Sequence, residues 1–449
     1  MKKYIKREIE NKIWEALEAG FIVAVLGARQ TGKTTLLNHL SFNLQNKGVP
    51  QKNIFFFNLD DVILRGEIIS NFYFIRNFIE ERLGKNLKDL SSPIYLFIDE
   101  VQKAPSVFDL LKILYDNFSE KIKIIISGSS SLTIQKKSAE SLAGRMVNVY
   151  LYPLSIREIL IDYFNLSLNH GLFEALIEGK RFDLDFLLFC QTQVLKQDYD
   201  QKRQLDLVLK QALLDGTLPA VFTRVKEKEY LFKSLLETYL EKDIRRLEEV
   251  GSLDDFSRLI SLLSFEIGST FNIASLSRDL GIAINTVKKY LSVLQATFIL
   301  KKLSPFFTKM RKRLVKSPKI YFFDVGLANF LAKRYYWENI IEKKGVLFEN
   351  ILLNSFEVFN NNFLKPGSCF FWRDYQGHEI DLVIENSKVI VPIEFTLERD
   401  LSFRKKKNFI YFLKEFKNVS FGIVIYTGQL EKISLLGKEI FFIPWWLWW

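Results

Sequence analysis

Five short, predominantly apolar runs punctuate the first third of the chain: Phe21–Leu26, Asn53–Leu59, Ile94–Ile98, Ile122–Ile126 and Val147–Leu151. Runs of this length, rich in β-branched and aromatic residues, read as strands buried on both faces. Helical periods fill the intervals, as from Lys33 to Asn46. The alternation predicts an α/β fold with a doubly wound parallel sheet and a ligand site at the carboxyl ends of its strands. From 156 to 250 the pattern is helical, broken at Gly216-Thr217-Leu218-Pro219. Between 271 and 303 one helix ends at Gly281, and a second carries Val287, Tyr290, Leu291 and Leu294 on one face. That predicts a helix-turn-helix in a winged-helix frame, with Phe298–Leu303 as a wing strand and Asn285, Thr286, Lys288 and Lys289 on the exposed side. Further on, the pattern predicts an amphipathic helix over Gly345–Phe356, a strand over Glu379–Ile384, a turn at Asn386-Ser387 and a strand over Val389–Phe395.

The first apolar run ends in Gly27-Ala28-Arg29-Gln30-Thr31-Gly32-Lys33-Thr34-Thr35, a P-loop pattern placed between a strand and a helix. Gly27 and Gly32 let the backbone turn tightly and aim its N–H groups at phosphate oxygens. The helix that starts near Lys33 adds the positive end of its dipole. Lys33 supplies a mobile charge for the β/γ-phosphates of ATP, and Thr34 a hydroxyl for Mg²⁺. Residues 27 to 35 are thus the expected cofactor-binding segment.

The third run ends in Asp99-Glu100. One domain-scale step after a P-loop, such a strand is a Walker B element: Asp99 is expected to hold the Mg²⁺ hydration shell, and Glu100 to polarise the attacking water. Hydrolysis is therefore expected, not binding alone. The fourth run passes into Ser127-Gly128-Ser129-Ser130-Ser131, which reads either as a sensor of the γ-phosphate or as a plain serine-rich turn. Arg145, in Leu142-Ala143-Gly144-Arg145, reads either as an arginine finger to a nucleotide in its own or a neighbouring subunit, or as a structural surface arginine.

Net charge and the cysteines narrow the setting. The chain carries a net charge of +11 over 449 residues, which permits an acidic partner without establishing one. Eight basic residues and no acidic one lie between Lys301 and Lys319, beside the helix-turn-helix. Double-stranded DNA is one partner this allows; a protein partner or a homo-oligomer, with a solvated basic face, is the other. Cys190 and Cys369 are far apart in sequence, which speaks against a disulfide framework or a cysteine zinc site. The first twenty residues read as an amphipathic helix, not a signal peptide, and no apolar run is long enough to span a membrane. A cytoplasmic protein is expected. The aromatic end, Phe441 to Trp449, reads as packing against the last domain or a partner, with membrane-interface contact as the alternative.

In the last third, Glu349, Asp381 and Glu394 have the order and spacing of the carboxylates of PD-(D/E)xK nucleases, which hold Mg²⁺ against a phosphodiester. Three solvated acids at element ends is the other reading. Two places after Glu394, where that motif has lysine, stands Thr396, with Lys405, Lys406 or Lys407 on the next helix as substitutes.

GARQTGKTTLL, FFFNLDD, YLFIDEVQKAP, IISGSSS and LAGRMVNVYLYPLSIREI, in this order, resemble a family of AAA+-like P-loop ATPases of bacteria and archaea. The resemblance implies a P-loop NTPase core over 1–155, a helical lid over 156–250, a winged helix over 251–310 and an α/β restriction-endonuclease-like carboxy-terminal domain over 311–449. It also implies that Ile320-Tyr321-Phe322-Phe323-Asp324-Val325-Gly326-Leu327 opens the last of these. The function expected is ATP hydrolysis with Mg²⁺ coupled to DNA binding or regulation. The alternatives are a nucleotide-switched binding protein of little turnover, or a Mg²⁺-dependent nuclease.

Overall fold

The computed structural model describes residues 4–129, 141–166, 171–178, 182–194, 199–223, 228–244, 250–307, 316–363, 366–386, 389–399 and 403–449. The chain divides into two compact units, Met1–Tyr152 and Pro153–Trp449.

In the first unit, α1 (Glu10–Glu18) leads into β1 (Ile22–Leu26), α2 (Lys33–Asn46), β2 (Ile54–Asn58), α3 (Val62–Ser70) and α4 (Phe74–Leu83). Then come β3 (Ile94–Asp99), α5 (Val107–Phe118), β4 (Ile122–Gly128) and β5 (Met146–Tyr150). The five strands form one sheet in the order β2-β3-β4-β1-β5, parallel throughout. Every residue of β1 is buried, as a strand covered on both faces requires. Val23, Val25, Leu36, Leu37, Leu40, Ile125 and Val149 share one core with Ile13 and Leu17 of α1. All connections at the carboxyl ends of the strands therefore open on one edge, and β4 inserts between the strand that leads to the P-loop and the one that ends in Asp99.

The second unit opens with helices, among them α6 (Ile156–Phe164), α7 (Tyr199–Asp215), α8 (Leu253–Phe265), α9 (Ile273–Leu280) and α10 (Ile284–Ala296). An antiparallel pair follows, β6 (Leu300–Pro305) and β7 (Lys319–Phe322), then α11 (Val325–Leu331) and α12 (Lys344–Asn361). The end is β8 (Ser368–Arg373), β9 (Glu379–Glu385), β10 (Ile390–Phe395), α13 (Phe403–Glu415), β11 (Gly422–Tyr426), β12 (Glu431–Leu435) and β13 (Lys438–Pro444). These strands form one sheet in the order β12-β13-β11-β10-β9-β8-β6-β7.

The expected segments 156–250, 251–310 and 311–449 all lie in the second unit. The helices expected as a separate lid pack inside the second unit: Ser355 on α12 accepts a hydrogen bond from the Ile156 backbone N–H at 3.2 Å, and Phe173 meets Phe356 and Trp448 edge to face. The boundary expected at 310 falls between β6 and β7, and β6 also pairs with β8, so the hairpin belongs to the larger sheet. The aromatic end is interior: Trp448 and Trp449 are fully buried, and the Trp448 indole N–H donates to the Leu352 carbonyl at 2.8 Å.

Two distant sequence breaks turn out to be mates. Asp324, which caps α11 by accepting from Leu327 N–H, also accepts from Thr217 N–H at 2.7 Å and Leu218 N–H at 3.0 Å. Gly216 sits at φ +75°, and a β-carbon there would overlap the Asp324 carboxylate. Burial raises the Asp324 carboxyl to about 6 from 3.8, with the backbone N–H groups opposing the rise. The folded state then holds this proton more tightly than the unfolded chain, so the stability it contributes falls as pH rises from near 3.8 through about 6. An Asp324→Asn variant lacks that titration. The stability gap between wild type and variant, measured by denaturant unfolding at about pH 4.5 and about pH 7, should narrow at the higher pH by about 2 kcal/mol. A gap of equal width at both would refute the assignment.

Candidate functional site

Gly32 adopts the left-handed conformation at φ +93° directly before α2, which directs the following N–H groups into the loop. Gln30 is also left-handed, at φ +65°. The loop is braced from within: Thr31 Oγ1 donates to the Ala28 carbonyl at 2.8 Å. Lys33 is buried, and its Nζ donates to the carbonyls of Gly27 at 2.9 Å and Ala28 at 2.8 Å. Its charge is thus held at the concave side of the loop, where an anionic phosphate would exchange for those carbonyls. Arg29 is half-buried, and Thr34 and Thr35 are exposed at the start of α2.

Across the mouth of the loop, Asp99 is almost fully buried at the end of β3. Thr34 Oγ1 donates to its Oδ2 at 2.6 Å, and Ser127 Oγ, at the end of β4, donates to its Oδ1. The insertion of β4 explains the second contact. The donor set fits Mg²⁺, which takes oxygen ligands; Thr34 and Asp99 are the two residues that would hold it. Glu100 follows in the left-handed conformation at φ +57°, which turns it away from the strand direction. Its backbone N–H donates to Ser127 Oγ at 3.4 Å, and its Oε2 accepts from Gln102 Nε2 at 2.6 Å. Gln102 also donates to Ser129 Oγ at 3.1 Å. Ser127 and Ser129 therefore join the two acids in one network, while Ser130 and Ser131 lie outside the described residues.

Two residues here were not legible in the sequence. Gln102 lies within YLFIDEVQKAP but carries no role there by pattern, yet its amide fixes the Glu100 carboxylate. Arg7 is buried, and its guanidinium donates to the carbonyls of Thr31 at 2.8 Å and Tyr152 at 2.6 Å. It backs the P-loop from outside.

Of the two readings of Arg145, the structure bears on reach within its own chain. It precedes Met146, which pairs with Ile22 at the start of β1, whereas the P-loop leaves the other end of that strand. The separation is roughly 16 Å of strand. Its guanidinium forms an exposed pair with Asp116, Nε to Oδ1 at 2.6 Å and Nη2 to Oδ2 at 3.1 Å. Arg145 therefore does not reach the nucleotide loop of its own chain.

In the second unit, Val287, Tyr290, Leu291 and Leu294 are buried on α10, and Asn285, Lys288 and Lys289 are exposed. The basic stretch is corrected in part. Lys301 and Lys319 are buried: Lys301 pairs with Glu357 at 2.9 Å, and Lys319 with Glu349 at 3.1 Å and Glu379 at 2.6 Å. Lys302 packs against the Phe271 ring, and Lys316 is exposed. Lys309, Arg311, Lys312 and Arg313 lie outside the described residues.

Glu349, Asp381 and Glu394 are all buried rather than solvated. Glu349 accepts from the Tyr321 hydroxyl as well as from Lys319. Phe395 N–H donates to Asp381 Oδ2 at 2.9 Å, and Asn408 Nδ2 to Glu394 Oε1 at 3.2 Å. Burial raises the Glu349 carboxyl, against the pull of Lys319. Burial also works against the Lys319 charge, but Glu349 and the other acids outweigh it and hold the ammonium above its usual range. Of the expected substitutes for the missing lysine, Lys406 and Lys407 are exposed, with Lys407 over Tyr411, and the Lys405 side chain lies outside the described residues. Lys319, taken in the sequence as one more basic residue of the wing, stands there instead.

Comparison with known proteins divides the chain into three matched segments. Residues 20–160 match a family model described as an AAA domain, so the first unit carries an AAA-type P-loop ATPase domain. Residues 207–335 and 344–448 match two models, each described as a domain of unknown function (DUF8612 and DUF4143). The first of these encloses the whole β6–β7 hairpin. An uncharacterised protein of Methanocaldococcus jannaschii is 28% identical, over 99% of this chain and 86% of its own. One of Mycobacterium tuberculosis is 26% identical over 85% of this chain and 71% of its own, and one of Haemophilus influenzae 21% over 99% and 97%. No helix among the described residues is long and apolar enough to cross a membrane.

Proposed function

We propose that this chain hydrolyses ATP with Mg²⁺ in its first unit and couples the nucleotide state to contact with double-stranded DNA through its second. The observation that carries the hydrolytic half is the Asp99 carboxylate, gripped by Thr34 and Ser127 at the mouth of the P-loop with Glu100 tethered beside it. In this reading Lys33 binds the β/γ-phosphates, Thr34 and Asp99 hold Mg²⁺, and Glu100 orients the attacking water. The backbone of residues 27–35 cradles the phosphates.

The DNA half rests on the order of α9, a tight turn at Gly281, α10 and the β6–β7 hairpin, which is that of a winged helix. Asn285, Lys288 and Lys289 would face phosphates and base edges. The carboxy-terminal order α12-β8-β9-β10-α13-β11 supports a restriction-endonuclease-like core, with Thr396 counting against cleavage.

ATP hydrolysis measured with and without double-stranded DNA at two salt concentrations, with Lys33→Ala as the blank, tests the coupling. DNA should raise turnover, added salt should remove the effect, and a Lys288→Glu/Lys289→Glu variant should hydrolyse ATP at the basal rate without responding to DNA. Turnover that ignores DNA in the wild type would make the winged helix a protein-packing module, and a protein partner or a second copy of the chain the object of regulation.

A further inference from the structure

The buried acids of the second unit already have a cation. Lys319 is 2% exposed and comes from β7, the hairpin strand, yet its Nζ lies 3.1 Å from Glu349 on α12 and 2.6 Å from Glu379 on β9. Tyr321, two residues along the same face of β7, donates its hydroxyl to the Glu349 oxygen that Lys319 holds. Asp381 shares the face of β9 with Glu379 and takes its own donor from Phe395 N–H. Glu394 takes one from Asn408. Thr396 Oγ1 is occupied locally, accepting from Glu398 N–H at 3.2 Å.

We propose that Lys319 is the resident cation of the Glu349–Glu379–Asp381 cluster, an internal charge lock that fastens β7 to α12 and β9 and closes the nuclease-like site to phosphodiesters. Among the described residues, the ammonium that sits with these acids is the buried Lys319, which comes from β7 and not from the position two residues after Glu394. A nucleic-acid strand cannot approach a group so enclosed, and each acid the family motif would spend on metal is engaged by a protein donor. Among the described residues no group of three or more His, Cys, Asp or Glu side chains is arranged to hold a metal ion. The arrangement instead joins the hairpin to the sheet that follows it, which is why β6 and β7 belong to the large sheet and not to an independent winged domain. This inference does not rest on the ATPase reading, and Lys33→Ala protein serves equally for its test.

The test uses the full chain without nucleotide. Lys319→Met and Glu349→Gln should each lower the calorimetric transition of the second unit by about 5–10 °C, because the first strips the buried acids of their cation and the second removes one of the two acids that hold Lys319. Lys319→Met/Glu349→Gln should lose markedly less than the sum of the two, since both single changes break the same Lys319–Glu349 pair. Supercoiled plasmid should stay intact in Mg²⁺ or Mn²⁺ with the wild type. Additive losses would overturn the lock, and if Lys319→Met does not fold, Glu349→Gln losing no more stability than an exposed-site control would do so. Plasmid nicking by the wild type that disappears in Asp381→Asn would overturn the closure and make the site an active nuclease.

Discussion

Glu100→Gln is expected to lower steady ATP turnover by at least about 100-fold while leaving ATP binding within about threefold of the wild type. The change is nearly isosteric, so the left-handed turn at Glu100 and the contact of its backbone N–H with Ser127 Oγ persist. Gln102 can still donate to the remaining side-chain carbonyl. What is lost is the anionic oxygen that would take or orient the proton of water. Asp99 and Thr34, the pair fitted to Mg²⁺, are untouched, as is Lys33 at the loop, which is why binding should survive. Phosphate release under saturating ATP measures the first effect, and titration with a fluorescent ATP analogue the second. A variant that binds but does not turn over supports the hydrolytic reading. Unchanged turnover would sink it and leave a nucleotide-switched binding protein.

What the sequence disclosed, and what it did not, follows from the range of the interactions involved. The strands of the first unit were legible because each is a short apolar run whose burial is forced by its own composition, and β3 and β4 begin where those runs do, at Ile94 and Ile122, and run on to Asp99 and Gly128. The P-loop was legible because its constraints are local: Gly32 needs a positive φ, and Lys33 answers carbonyls five and six residues away. Arg145 was ambiguous because nothing local says at which end of a parallel strand an arginine lies; only the pairing of Met146 with Ile22 decides it. Arg7, 24 residues before Thr31 in the chain and 145 before Tyr152, left no pattern at all. Lys319 was misleading for a similar reason. Counted along the chain it adds to a basic stretch, and only the sheet brings it to Glu349, thirty residues on. The link between Asp324 and the Gly216 turn spans a greater distance still, 107 residues to Thr217.

Gly27→Ala should abolish measurable nucleotide binding and destabilise the first unit by about 2–3 kcal/mol, although alanine is the mildest replacement available. Gly27 has an ordinary negative φ, so the argument is one of space, not of backbone freedom. A β-carbon built there overlaps the backbone carbonyl oxygen of Leu151 and comes within 3.1 Å of Thr31 Oγ1. Neither obstacle can swing aside. The Leu151 segment continues β5, and its N–H is bonded to the Leu26 carbonyl at 2.7 Å, so it is fixed by the sheet itself. Thr31 Oγ1 is fixed by Ala28. The loop must therefore lift off β5, which pulls the Gly27 and Ala28 carbonyls from Lys33 and drags the Thr31 carbonyl from Arg7. Gly32→Ala acts by another route: its neighbourhood is open, with Arg7 Nη1 at 4.0 Å, and its penalty is the positive φ alone. Nucleotide titration and thermal unfolding of the two variants side by side separate the causes. Gly27→Ala should lose both binding and stability, and Gly32→Ala mainly binding, with about 1 kcal/mol of stability. If Gly27→Ala kept full affinity, the close packing of the loop on the end of β5 would not be what shapes the phosphate cradle.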